Sequence, residues 1–554
     1  MPVVNLDLKR LKHWFPGKSV EQLIEELPFI GLDIESTTST EIRIEYNPNR
    51  PDFGSDYGIA RSLKGYLDIE LGIPKYNLLR SDKYKIISDS KKNLTRPFIT
   101  GLVAKDLKLE TIDIKQLSST QDDLHDGIGR QKIKASIGIY PLHDIKFPLK
   151  YTSISHDFSF TFSNHSASTT VSEFLDSHGF GTKYCQLQQD SGANYSALLD
   201  KENQLISMPP FANFDTKELE PGLTDLFIHV TSIEHKLADD MTAILAALVN
   251  DMGSTLQTIL VQTPEEIIYS PDLRPAHIFV SAGHVNGTLG TELTSEEIMT
   301  SLRRCRLEAK AVKGKGSTII CTIPRYRVDI FDKIDIVEEV AIGYGISNLI
   351  PSIPSSKASG NLSEVTRYLD IIRVTMVGLG YLEVNNFSLI AKKIQFDSMI
   401  SEYKPDRILA VEGALNADLD YLRNSLLPSL MLNLSRNIHE TYPQKIFEIG
   451  KVFSKEASLE RWHLACLLAS SSSNFTEAKS VLQGLLDSAF ANDFKTEPDK
   501  LSHFTDGRCA KVIIGSECTG ELGEISASVV DSFKLRVPVS GFEINLSKML
   551  NIES

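Results

Sequence analysis

Within a chain of 554 residues, the stretch from Pro324 to Gly345 is the one whose own residues fix its local structure most tightly. Pro324 keeps its predecessor out of the helical region, so the stretch enters extended. Ile336, Val337, Val340 and Ala341 then recur at helical spacing, and Gly343 and Gly345 stop the helix. Asp335, Glu338 and Glu339 stand at i, i+3 and i+4, which predicts three carboxylates leaving one side of the first turns. Asp329, on the preceding strand end, can fold back toward them. Spacing alone leaves two readings open. Acids favour a helix N-terminus by roughly 0.3–1 kcal/mol each, with Asp332 or Asp335 as the cap. Alternatively, carboxylates held close repel unless a cation neutralises them, and Mg²⁺ takes oxygen ligands while keeping several waters.

The rest of the chain is too long for one core and implies three to five domains. Hydrophobic residues make up 42% of it, a globular proportion. The net charge of −14 argues against a chain coated for non-specific nucleic-acid binding and leaves room for a local basic patch. Arg303, Arg304, Arg306, Lys310, Lys313 and Lys315 form such a run, readable as a solvated helix face or as contacts to nucleic-acid phosphates. Gly314-Lys315-Gly316-Ser317-Thr318 fails the spacing of a phosphate loop and is expected to be a turn. The six cysteines are scattered without zinc spacing, as in a reduced intracellular protein. There is no signal-peptide pattern, and no apolar run approaches the ~20 residues of a membrane span. A soluble, cytoplasmic chain with no membrane partner is expected.

Periodicity and turn formers predict a multidomain α+β (α/β) protein. An N-terminal α/β module covers 1–85 and a larger α/β region 86–265. A winged-helix-like unit with the acidic segment covers 268–350, a turn-rich linker 351–363, and a last domain of sheet and helices 364–554.

The order Arg-x-Asp-Ile, Asp-Ile-Val-Glu-Glu-Val-Ala, Gly-Tyr-Gly resembles a segment of the β-subunit family of phenylalanine–tRNA ligases (phenylalanyl-tRNA synthetases). Asn49-Arg50-Pro51-Asp52 with Gly58-Ile59-Ala60-Arg61 resembles the opening of the same family, although Arg50 and Asp52 also read as a structural pair. His125-Asp126-Gly127-Ile128-Gly129-Arg130 and the stretch from Leu198 to Thr231 add two further matches in collinear order. Length and order resemble the archaeal/eukaryotic form.

The resemblance carries several implications. Asp329, Asp335, Glu338 and Glu339 would bind magnesium near the interface with an α subunit. Residues 86–265 would form an editing-type domain that hydrolyses tyrosine wrongly attached to tRNA(Phe), a useful second sieve because a phenylalanine pocket rejects an added hydroxyl only modestly. Leu198, Ser207 and Thr231 match its pocket, whereas His229 stands at the acidic position. Residues 364–554 would adopt the class II synthetase catalytic-like fold, an antiparallel sheet with helices. Class II chemistry needs arginines for ATP phosphates. Here Phe447-Glu448-Ile449-Gly450 occupies the expected arginine-bearing strand, and no arginine follows Gly541. The expectation is a subunit without synthetic residues of its own. It would bury helices such as Glu364 to Leu379 against α in an α2β2 assembly that charges tRNA(Phe) through phenylalanyl-adenylate, using ATP and Mg²⁺. The rivals are a stand-alone tRNA-binding protein and a misacyl-tRNA hydrolase, the latter weakened by His229.

Overall fold

The computed structural model divides into two units, Met1–Ile353 and Pro354–Ser554. It describes residues 2–550 apart from 90–93, 162–167, 178–193, 213–218, 315–316, 354–358, 415, 417, 456–458 and 491–492.

The first unit opens on strands that bury alternate residues. β1 (Val3–Asp7), β2 (Leu32–Thr37) and β3 (Glu41–Tyr46) pair antiparallel in the order β1-β3-β2. Val4, Leu6, Ile42 and Ile44 point inward. Helices α1 (Leu8–Trp14), α2 (Val20–Glu26) and α3 (Asp56–Tyr66) close over them through Leu11, Leu23, Ile59 and Leu63.

An eleven-stranded sheet follows. It contains β4 (Lys85–Ser88), β5 (Phe98–Lys105), β6 (Ala135–Pro141), β7 (Leu149–Ser155), β8 (Asn194–Leu199), β9 (Leu205–Met208), β10 (Leu226–Ser232) and β11 (Thr255–Gln262). Along its path the order is β9-β8-β7-β4-β11-β5-β10-β6. Helices α4 (Thr111–Asp126) and α5 (His235–Asp251) pack on one face, against Leu226, Ile228 and Val230 of β10. On the other face Phe227 joins Leu198, Ile206, Tyr140 and Tyr151. Both faces of β10 are therefore covered, and every residue of the strand is buried, His229, Thr231 and Ser232 included.

The remainder of this unit is a three-stranded sheet with helices. β12 (Ala276–Ser281), β13 (Glu308–Ala311) and β14 (Thr318–Ile323) pair in the order β12-β14-β13, beside α6 (Ala282–Leu289), α7 (Ser295–Arg304) and α8 (Lys333–Tyr344). Gly343 does not end α8. It lets the helix approach α7, since a Cβ there would collide with the Ser301 backbone. The stop comes at Gly345, whose φ of 96° suits glycine.

The second unit is a seven-stranded sheet. Its strands are β15 (Leu382–Glu383), β16 (Gln444–Ser454), β17 (Leu459–Ala469), β18 (Phe494–Pro498), β19 (Phe504–Ile514), β20 (Glu517–Ile525) and β21 (Val539–Asn545), in the order β15-β16-β17-β21-β20-β19-β18. The last strand in sequence is thus central in the sheet. Only the edge strand β15 pairs in parallel. Helices α9 (Glu364–Gly378), α10 (Leu427–Arg436) and α11 (Phe475–Ala489) cover the sheet through Ile372 and Met376, Leu430 and Leu434, and Leu482 and Leu485.

Candidate functional site

The acidic segment is arranged around an arginine. Asp332 is the N-cap of α8 and Asp335 completes a capping box, its carboxylate accepting from the backbone N–H groups of Asp332 (2.8 Å) and Phe331 (2.7 Å). Asp329 lies in the loop before the helix and not on a strand end. The three helical acids do not leave on one side: Glu339 turns inward and is 4% exposed, whereas Glu338 faces out. Between Asp329 and Glu339 sits the buried guanidinium of Arg327. Its Nε and Nη2 donate to Asp329 at 2.9 and 2.7 Å, and its Nη1 and Nη2 to Glu339 at 3.0 and 2.5 Å. This double fork is the strong form of a charge-assisted hydrogen bond.

One guanidinium does not balance four carboxylates. Partial burial, then Glu339, Asp329 and Asp335 in turn, push the Glu338 carboxyl above its ordinary range. The donor set is oxygen only and carries uncompensated negative charge, which suits a hard cation that retains waters. Among the described residues no three His, Cys, Asp or Glu side chains form a group able to hold a metal by themselves. Of the four acids, Glu338 is the one turned to solvent, where it could reach a magnesium ion; Asp335 is turned onto the Phe331 and Asp332 amides, and Arg327 holds Asp329 and Glu339.

Further ion pairs run from this segment into the first module and α5. Arg50 binds Asp52 through Nε (2.9 Å) and Nη2 (3.0 Å) and lies 4.0 Å from Asp329. Arg61 lies 3.6 Å from Asp52 and also pairs with Asp251. Arg50 and Asp52 are thus a structural pair. The arginine run is engaged in the same way. Arg304 clasps Asp68 at 2.8 and 2.6 Å, Arg306 is buried against Glu70, and Arg303 reaches Glu308 at 3.3 Å. Gly65 permits this approach, since a Cβ there would meet the Arg304 carbonyl. Arg303, Arg304 and Arg306 are thus each paired with an acid of the chain itself. Lys310 and Lys313 remain exposed, and Lys315 lies outside the described residues.

The four editing positions share one interior. Leu198 and Ser207 are register partners on β8 and β9. His229 and Thr231 follow Phe227 at alternate positions on β10, and Phe227 packs in the same core as Leu198. All four are buried. His229 lies between Gly101 and Gly138 of the neighbouring strands, and a Cβ at Gly138 would strike both its Nε2 and the Tyr140 hydroxyl. Its Nε2 is 3.3 Å from that hydroxyl, and the two rings stack at 13°. Its buried Nδ1 has no partner. Burial pushes the imidazole down to about 3, so it is neutral at physiological pH. Tyr140 was not evident in the sequence, because only the strand pairing brings it over Gly138.

A folded pKa below the unfolded value near 6.5 gives stability that is full above 6.5 and lost as pH falls toward about 3. His229→Gln is expected to flatten the acid limb of stability by about one proton, or about 1.4 kcal/mol per pH unit. Urea midpoints at pH 7, 6 and 5 check this. An unchanged slope would contradict it.

In the second unit the central strands present carboxylates. Glu448 is 1% exposed, accepting from Arg423 at 2.5 Å and from Asn386 Nδ2 at 2.7 Å. Glu543 accepts from Ser425 Oγ (2.6 Å) and the Leu426 amide (3.0 Å) and lies 2.7 Å from His463 Nδ1. Gly450 leaves room for the Arg423 guanidinium. Arg423, from the loop before α10, is thus held by an internal acid.

Comparison with known proteins follows the same division. Residues 278–346 match the family model described as the tRNA synthetase B5 domain, and residues 346–546 the model described as the phenylalanyl tRNA synthetase beta chain CLM domain. These two domains together mark a tRNA synthetase chain. The phenylalanine–tRNA ligase beta subunit of Archaeoglobus fulgidus is 34% identical over 551 residues, covering 99% of this chain and 98% of the relative. That of Methanocaldococcus jannaschii is 32% identical, covering 99% and 100%. The chain belongs to the phenylalanine–tRNA ligase β-subunit family. An N-terminal fragment of the Pyrococcus horikoshii subunit shares the fold over 62% of this chain and 99% of the fragment, with a TM-score of 0.58 at 24% identity.

Proposed function

We propose that this chain is the non-catalytic β subunit of a phenylalanine–tRNA ligase and works by completing an α subunit that carries the synthetic site. The observation behind this reading is the outer face of α9. Tyr368, Ile371, Val374 and Val377 recur at three-residue spacing and are 39, 43, 72 and 55% exposed, while Leu369, Ile372 and Met376 bury the opposite face. Leu382 on the edge strand β15 and Phe387 add 67 and 81% exposed apolar side chains. A groove of about 840 Å³ beside Leu382 is lined by Val384, Leu434, Pro443 and Ile446. A contiguous apolar surface of this kind marks a protein interface. One face of the helix belongs to this chain's own core and the other is left for the partner.

With α, in an α2β2 assembly, the complex would attach L-phenylalanine to tRNA(Phe) through phenylalanyl-adenylate, using ATP and Mg²⁺. The internal pairing of Glu448 and Glu543 supports placing the phosphate-handling groups on α. The acidic segment would hold magnesium close to that partner, where the exposed Phe331 and Ile334 flank the acids. For the second region the reading is hydrolysis of tyrosyl-tRNA(Phe), supported by the unpartnered Nδ1 of His229 among the four editing positions. No release of tyrosine above buffer by the complex would retire that part alone.

The whole is tested by co-expression with the α chain. The two should co-purify, and aminoacylation should need both. Charging of tRNA by this chain unaided, or full activity of α without it, would overturn the reading.

A further inference from the structure

The loop after α4, singled out in sequence as His125 to Arg130, has no part in the sites above. It encloses a buried arginine. Arg96 is 5% exposed, and its Nη2 donates to the carbonyl oxygens of Lys132 and Ile133. Its Nη1 is buried and has no partner. Every other buried arginine discussed above meets a carboxylate, but among the described residues Arg96 forms no ion pair. Burial without an acid lowers its pKa to about 10, the nearby Tyr151 only partly opposing this. His125, 3% exposed, accepts from the Ile137 N–H through Nε2, and its Nδ1 has no partner. Burial, then the charges of Lys132 and Arg96, lower its pKa to about 3, so no acid answers the charge from that side either.

More positive charge lies alongside. Arg130 is exposed and Lys132 half-buried in a turn where Arg130, Gln131 and Lys132 take φ of 51, 54 and 65°. Non-glycine residues hold three successive left-handed conformations only against strain. In a chain of net charge −14, an arginine buried without an anion points to an anion supplied from outside.

We propose that Arg96, Arg130 and Lys132 form a phosphate site that takes a backbone phosphodiester of RNA. Position favours RNA over a free anion. Arg96 lies two residues before β5, and Thr231 pairs with Ile99 on β5 and Ser136 on β6, so the arginine and the editing positions share one end of the sheet. The Arg96 amide is 3.4 Å from Ser196 Oγ, two residues before Leu198. An aminoacyl group reaching Thr231 on the end of a polynucleotide would bring its last phosphates to this edge. The assignment of RNA rests on the tRNA reading above; the anion site does not.

Two measurements separate these. In the full chain, inorganic phosphate should raise the melting temperature by about 2 °C over chloride of equal ionic strength, and Arg96→Met should abolish that difference. In the complex with α, Arg130→Ala/Lys132→Ala, at more exposed positions that spare the core, should weaken tRNA binding about tenfold. The log K against log salt slope should flatten by about 1.4, two contacts at ~0.7 each. Absence of a phosphate-specific shift in the wild-type chain overturns the site. A phosphate shift with an unchanged salt slope overturns the RNA assignment in favour of a small phosphate ligand. Failure of the wild-type complex to charge tRNA would refute the β-subunit reading while leaving the phosphate shift intact.

Discussion

Arg327→Met is expected to destabilise the first unit by about 3–5 kcal/mol, the cost of removing one partner from a buried, hydrogen-bonded ion pair. The reason is the geometry. Asp329 and Glu339 each accept two hydrogen bonds from this guanidinium, and Glu339 is almost without access to water. Methionine fills much of the space, leaves Glu339 unanswered in it and leaves Asp329 only Arg50, 4.0 Å away. Arg327→Lys should recover only part of the loss, because one ammonium cannot serve two bidentate acceptors. The urea midpoint of the full chain measures both variants. Magnesium should stabilise the methionine variant more than the wild type, since a cation becomes the remaining means of holding the acids together. A methionine variant within 1 kcal/mol of wild type would show that the clamp is dispensable.

Val374→Asp/Val377→Asp is expected to leave the isolated chain folded and to abolish its association with α. Both valines are more than half exposed, so nothing in the second unit's own core depends on them. In a buried interface each valine contributes about 1.5–3 kcal/mol, and an unpaired carboxylate in its place adds a desolvation cost. A loss of about 4 kcal/mol or more is close to a thousandfold in Kd. Circular dichroism checks the fold, and sedimentation of the mixed subunits checks assembly. Undiminished association would move the interface to another surface and remove the main support for the β-subunit reading.

The acidic segment shows how far sequence pattern reaches. Helical spacing, the acids and the terminating glycine region were legible because each depends on neighbours within one or two turns. Capping by Asp332 and Asp335 was one of the two readings the spacing offered; that Glu339 turns inward and that Arg327 joins Asp329 to it were not legible, because the loop at 324–332 folds back in a way that no local rule specifies. Arg327 had one signal, its place two residues before Asp329, but the same spacing describes a solvated pair. The pairing of the arginines in the basic run at 303–315 was hidden for a similar reason. Its arginines look free in sequence, and the acids that answer Arg304 and Arg306, Asp68 and Glu70, lie more than 230 positions away. His229 was marked by its departure from the family pattern, whereas Tyr140 and the glycines beside it became visible only once β10 was paired with β5 and β6.

Residue order alone determined the family, the succession of modules, most of the helices and the lack of an arginine after Gly541. Those features rest on local propensity, periodicity and composition, which neighbouring residues carry between them. Tertiary structure decided which charges are neutralised within the chain and which are left over. Burial and pairing depend on segments brought together from hundreds of residues apart, and the strength of a charge depends on what surrounds it. Arg304 and Arg306 thereby became internal supports, Arg96 a cation without its anion, and the outer face of α9 a surface still to be covered.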